Sequence, residues 1–182
     1  LPHFGQHIIN SQKPDYKKID TSSLSGCEYR FFVAGHTYGT PGLEANGLYS
    51  PFKSSFDELN IISNMEFGIL TGDIVRTSTT ENWDKIDQDL EILDMEVYFA
   101  AGNHDMTDPD LYASRYGEFY YSFTHEKDLF IILNPNLNFW NISSEQLQFL
   151  KTTLHEKGSS SNNIFVFFHQ LIWIDASNKL SY

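Results

Sequence analysis

The chain has 182 residues and a mass of 21.0 kDa, the length of one domain and enough to bury a sizeable core. With 41% hydrophobic and 20% charged residues its composition is globular, which excludes a disordered chain. A net charge of −12, from 12 Lys+Arg against 24 Asp+Glu, excludes a broad nucleic-acid footprint but leaves room for a small anionic substrate held through bound cations. Cys27 is the only cysteine, so neither an intrachain disulfide nor a Cys-based zinc site can form. No apolar run reaches the ~18 residues of a membrane span. The first residue is Leu1, so localisation stays open with the cytoplasm favoured, and oligomeric state cannot be read. Asn141-Ile142-Ser143 fits a glycosylation triplet that is common by chance.

Residues 1–28 are polar and aperiodic, with Pro2 and Pro14, and read as an extended lead-in to a domain over 29–182. Tyr29 to Gly35 is the first strand, rich in aromatic and β-branched residues. Glycines and prolines mark a long loop from Gly39 to Pro51. Phe56, Leu59 and Ile62 recur at helical spacing and predict a helix over 54–65. Phe67 to Thr71 is a second strand, ending in Gly72-Asp73. Ser78 with Glu81 makes a capping-box pattern for a helix whose apolar face carries Trp83, Ile86, Leu90 and Leu93. The apolar run Val97–Ala101 is a third strand, followed at once by Gly102-Asn103-His104-Asp105.

Asp108-Pro109 opens a short helix, with Asp as the cap and Pro at the first helical position. Phe119–Phe123 and Leu129–Asn134 read as a strand pair joined by the turn Thr124–Asp128. Ser143 and Gln146 form a second capping box, for a helix carrying Leu147, Leu150 and Leu154. A loop over 158–163 then precedes the strand 164–168, which delivers His169. Strands alternating with helices imply an α/β chain with a largely parallel sheet and some antiparallel additions. In such sheets ligands bind at the carboxyl ends of the strands.

Four strand ends carry chemistry: His36, Asp73, Asn103-His104-Asp105 and His169. Taken singly, each has a structural explanation as a turn or a hydrogen-bonded residue; together they point to a shared site. His3, His7, His125 and His155 fall in predicted loops or on helix surfaces. Imidazole, carboxylate and amide oxygen without thiolate suit one or two ions such as Mn²⁺, Fe or Zn²⁺. Two ions about 3.5–4 Å apart would clamp a phosphoester and activate a water. His104 is placed to protonate the leaving oxygen, and Asp105 to orient that imidazole.

Gly72-Asp73, then Gly102-Asn103-His104-Asp105, then His169 behind an apolar strand, resembles the calcineurin-like metallophosphoesterase family over residues 29–175. The resemblance implies a four-layer sandwich of two mixed sheets flanked by helices, with a two-metal site at the strand ends. It makes Asp73 the bridging carboxylate, Asn103 and His169 ligands of the second metal, and His104 the residue at the phosphate or leaving group. His36 is what remains of the family's first motif, Asp-x-His, which here reads Ala34-Gly35-His36. Tyr38, Asp57 or a water could substitute for the absent Asp. The closing Gly-His-x-His motif does not occur before Tyr182, and the expectation is a C-terminally truncated domain.

The leading expectation is metal-dependent hydrolysis of a small phosphomonoester or phosphodiester. The alternative is a non-catalytic binding or scaffold domain of the same fold with a degenerate first metal site. Sugar or nucleotide binding by Phe139, Trp140 and Trp173 is a third reading, from composition alone. Tyr38, Arg76 and Arg115 could reach a substrate or could be surface and packing residues.

Overall fold

The computed structural model describes residues 29–39 and 47–172. The expected lead-in over 1–28, most of the long loop after Gly39, and Trp173 lie outside them. Two three-stranded sheets form the centre. The first is parallel throughout, in the order β1 (Arg30–Ala34), β2 (Met65–Leu70), β3 (Glu96–Phe99). The second runs β4 (Tyr121–His125), β5 (Asp128–Ile132), β6 (Asn163–Phe167), with β4 antiparallel and β6 parallel to β5.

Period-two alternation on strands buried from both sides explains the layering. Phe67 and Ile69 of β2 meet Phe130 and Ile132 of β5 between the sheets, together with the partly buried Phe31, Phe165 and Phe167. The opposite face of the first sheet packs Leu70 and Phe99 against helices α2 (Phe56–Ile61), α3 (Thr80–Leu90) and α4 (Pro109–Tyr116), through Phe56, Trp83, Ile86 and Tyr112. Leu129 and Ile131 turn the other way, onto Phe149 and Leu150 of α5 (Ser144–Lys157). The result is the helix–sheet–sheet–helix sandwich that the sequence resemblance implies.

Several expected boundaries move. The helix expected over 54–65 is the shorter α2, and a four-residue helix α1 (Ser50–Lys53) precedes it where the end of the loop was expected. The α3 cap is Thr79, whose hydroxyl accepts the Asn82 N–H. Ser78 is occupied elsewhere, accepting from Trp83 Nε1 at 2.9 Å and donating to the Asp108 carbonyl at 3.2 Å. Asp108 does cap α4, by accepting the Leu111 N–H. Ser143 caps α5, but its expected partner Gln146 turns inward to the Asn134 backbone, with both contacts at 2.8 Å. The strand pair starts later than its aromatic run predicts, because Phe119 stacks on Tyr112 of α4. Its turn is also tighter, with Glu126 at a φ of 50°.

Candidate metal centre

Loops leaving β1, β2, β3 and β6 bring His36, Asp73, His104 and His169 together, as the strand-end pattern predicts. The Asp73 side chain is their hub, and Asp73 is only 4% exposed. Its Oδ2 lies 3.1 Å from His36 Nδ1 and its Oδ1 lies 3.5 Å from His169 Nε2. The same Oδ1 accepts the His104 backbone N–H at 3.1 Å. Burial pushes the Asp73 carboxyl up, but the hydrogen bond and charge of His169 with the His104 N–H outweigh it and leave the group below its usual value. Burial likewise pulls His169 down, and the bond to Asp73 and the Thr71 carbonyl more than reverse that, so it ends above its usual value.

Both His36 and Asp73 sit in the left-handed region, at φ 57° and 52°. Residues with side chains are held there only where the surroundings over-determine them. The His36 N–H donates to the Gly72 carbonyl at 2.8 Å, which ties the first loop to the second. Two glycines allow the second and third loops to touch. A Cβ on Gly72, whose φ is 88°, would stand 2.6 Å from His169 Nδ1, and one on Gly102 would stand 2.2 Å from Asp73 N. Main chain therefore lies directly beneath the carboxylate and the imidazole.

His169 Nδ1 lies 2.8 Å from the Thr71 carbonyl, and His104 Nδ1 lies 2.7 Å from the Arg76 carbonyl. A carbonyl only accepts, so each Nδ1 carries its proton and each Nε2 is turned towards the site. Beyond His104 Nε2, at 3.4 Å, stands the Tyr38 hydroxyl. Tyr38 is 2% exposed and packs its ring between the two imidazoles of His36 and His104, at centroid distances of 4.8 and 5.0 Å. Asn103 is exposed, and its amide has no hydrogen bond among the described residues.

Asp105 does not orient the His104 ring. It is fully buried, and its carboxylate accepts the N–H groups of Ile74 at 2.8 Å, Val75 at 3.0 Å and Gly102 at 2.7 Å. Burial pushes its carboxyl up to about 6, against the pull of those three donors. Its role is to fasten the second loop to the third. The orienter of His104 is the Arg76 carbonyl, a backbone group that no residue-type pattern reveals. Arg115 is likewise no part of the site, since its guanidinium holds Asp84 at 2.7 Å and Asp87 at 2.6 Å. Asp57 lies exposed on α2, and His125 pairs with Glu66 at 2.7 Å.

A set of amides that the sequence reading passed over braces the outer side. Asn136 Nδ2 donates to the Ala101 carbonyl at 3.0 Å, and its Oδ1 accepts from Gln170, the residue after His169. The signal available was the turn-forming Asn134-Pro135-Asn136 beside a Gln that follows a strand-end His. The same connection continues into Phe139 and Trp140, which are 93% and 62% exposed and both left-handed, at φ 49° and 66°.

Among the described residues no group of three or more His, Cys, Asp and Glu side chains is set to hold a metal ion. The donors that do converge are one carboxylate and the Nε2 of His169, and the exposed Asn103 stands next to His104 on the third loop. That set suits a single hard-to-borderline divalent ion on the Asp73–His169 side. On the other side Ala34 offers no donor, and only His36 remains.

Residues 28–179 match the calcineurin-like phosphoesterase family. The chain belongs to that family. No curated protein sequence matches it. Among solved structures it is similar to a purple acid phosphatase from yellow lupin (Lupinus luteus) seeds, at 16% identity and a TM-score of 0.54, covering 70% of this chain and 27% of the other. It is also similar to Vacuolar Protein Sorting 29 from Cryptosporidium parvum, at 18% identity and a TM-score of 0.39, covering 69% of this chain and 59% of the other. The chain thus spans roughly a quarter of the length of the plant phosphatase. At such identities the likeness concerns the fold. Among the described residues no helix is long and apolar enough to cross a membrane.

Proposed function

We propose that the chain carries out metal-dependent hydrolysis of a small phosphomonoester or phosphodiester. The observation that carries this reading is His104: its Nδ1–H is spent on the Arg76 carbonyl and its backbone N–H on Asp73, so the ring is fixed with Nε2 as its outer end, 3.4 Å from the Tyr38 hydroxyl. Asp73, Asn103 and His169 would hold a divalent ion, with His36 on the second carboxylate oxygen. When bound, such an ion supplies Lewis-acid polarisation of the phosphoryl group and neutralises its charge. The protein's own part is positional. His104 holds a proton at Nε2 for the departing oxygen, and the Tyr38 ring fixes the plane of that imidazole. The Thr71 carbonyl keeps His169 in the tautomer that offers Nε2 to an ion.

The test is Mn²⁺-dependent hydrolysis of p-nitrophenyl phosphate and its bis-ester, with metal analysis of the same protein. His104→Ala lowers turnover by about 10²–10⁴ if its Nε2 is the general acid; unchanged turnover removes that assignment. Ala34 supports a second reading, a non-catalytic binding domain that retains the centre as structure. Protein supplied with Mn²⁺ that neither binds the ion nor turns over either ester would establish this alternative.

A further inference from the structure

Among the described residues β3 is an edge strand of the first sheet. In a parallel ladder alternate residues turn their backbone groups to the neighbouring strand. Ala100 N–H donates to the Leu70 carbonyl at 2.8 Å, so Tyr98 shares that side, while Val97 and Phe99 face outwards. The outward pair on Phe99 is closed by one hydroxyl: Tyr121 accepts its N–H at 3.1 Å and donates to its C=O at 3.0 Å. Val97 has no such partner among the described residues. A cavity of 680 Å³ runs along this edge, with Val97, Met95, Tyr112 and Tyr116 on its walls and Glu91 and Glu118 at its rim.

Natural edge strands are blunted by Lys, Pro, bulges or a covering element. The sequence Glu96-Val97-Tyr98-Phe99 has no Lys and no Pro. Its one charge is negative, and no Lys or Arg lines the cavity. Arg115, next to the cavity-lining Tyr116, is held by Asp84 and Asp87. A second copy of this chain would bring its own carboxylates against Glu91, Glu96 and Glu118, so like charge disfavours self-pairing. We propose that this groove takes a short, extended, basic segment of a partner protein, added as a strand against Val97. Apolar residues of that segment face the Tyr112–Tyr116 wall, and its Lys or Arg side chains meet Glu91 and Glu118. Strand addition of this kind draws affinity from the main chain and specificity from alternate side chains.

The probe is acetyl-Val-Lys-Val-Lys-Val-amide, titrated into ¹⁵N-labelled protein. The Val97 amide signal is expected to shift, with binding at least about tenfold weaker for the Glu-for-Lys peptide and for the Glu91→Gln/Glu118→Gln protein. Two peptides N-methylated at adjacent residues give a control that needs no protein variant. Only one of two neighbouring amides faces Val97, so one peptide loses binding and the other keeps it. Equal binding of the Glu peptide, an unmoved Val97 signal or equal effects of the two methylations would overturn the proposal. So would benzyltrimethylammonium binding as tightly as the Lys peptide, which would make the cavity a site for small organic cations.

Discussion

The two sides of the centre are held in different ways. Gly72–Val75 and Gly102–Asp105 are locked by the contact of two glycines and by the Asp105 carboxylate, which accepts N–H groups from both loops. The loop Gly35–Gly39 is held instead by backbone hydrogen bonds, His36 N–H to the Gly72 carbonyl at 2.8 Å, Tyr38 N–H to the Asp73 carbonyl at 3.3 Å and Tyr49 N–H to the Thr37 carbonyl at 2.7 Å. Half of the His36 side chain is in solvent, and the position before Gly35 is an apolar Ala34 packed towards the helix layer. The first side carries the Asp73 carboxylate on these contacts, whereas on the second Ala34 offers no donor and His36 is the one polar side chain turned to Asp73. Precision here comes from buried backbone contacts rather than from the number of acidic residues nearby.

The largest expected effect is at the lock itself. Asp105→Ala strands three buried N–H groups and should cost about 3–5 kcal/mol of stability in urea unfolding. A loss under about 1 kcal/mol would remove Asp105 as the fastener. Next comes a paired test of the two sides. Gly102→Ala pushes a Cβ into the Asp73 backbone and should cost about 1–3 kcal/mol. Gly35→Ala meets only the Thr71 hydroxyl, a side chain that can rotate away, and should cost under about 1 kcal/mol. Equal losses would erase the contrast. Introducing a carboxylate with Ala34→Asp should tighten Mn²⁺ binding by about tenfold in calorimetry, and no change would mean that the first loop cannot present it.

The smallest effect is a pH dependence of the metal-free protein. His169 has a folded value above its unfolded one, so its contribution is complete below the usual imidazole value and is lost as pH rises through the folded value. Asp73, lowered in the fold, contributes above the usual carboxylate value and loses that contribution as pH falls. Asp105 runs opposite to Asp73. Its native form keeps a proton up to about 6, so its effect on stability declines with rising pH across that lower window. His169 acts above it. A loss of under about 1 kcal/mol between neutral and mildly alkaline pH, absent in Asp73→Asn, is expected from thermal unfolding at constant ionic strength.

Much of this was legible in the sequence for a physical reason. Val97–Ala101 and Ile164–Phe168 are apolar runs of strand length, and polar groups directly behind them mark the strand ends. The convergence of His36, Asp73, His104 and His169 follows from that. Roles within the site were less legible. Asp105 follows His104 in the chain, yet its partners Ile74 and Val75 come from the loop behind another strand. His104 is aimed by a carbonyl, which every residue possesses. Adjacent hydroxyls at Ser78 and Thr79 left the α3 cap ambiguous until the Trp83 indole claimed one of them.

The carbonyls that hold His104 and His169 belong to Arg76 and Thr71, so both lie on the single stretch leading from β2 towards α3. This stretch is a common bearing for two rings from two different loops. A displacement of it would swing both imidazoles together, and neither ring can turn over while the bearing stays in place. Slow exchange at the two Nδ1 protons should therefore have one rate, and a ligand that stills one ring should still the other.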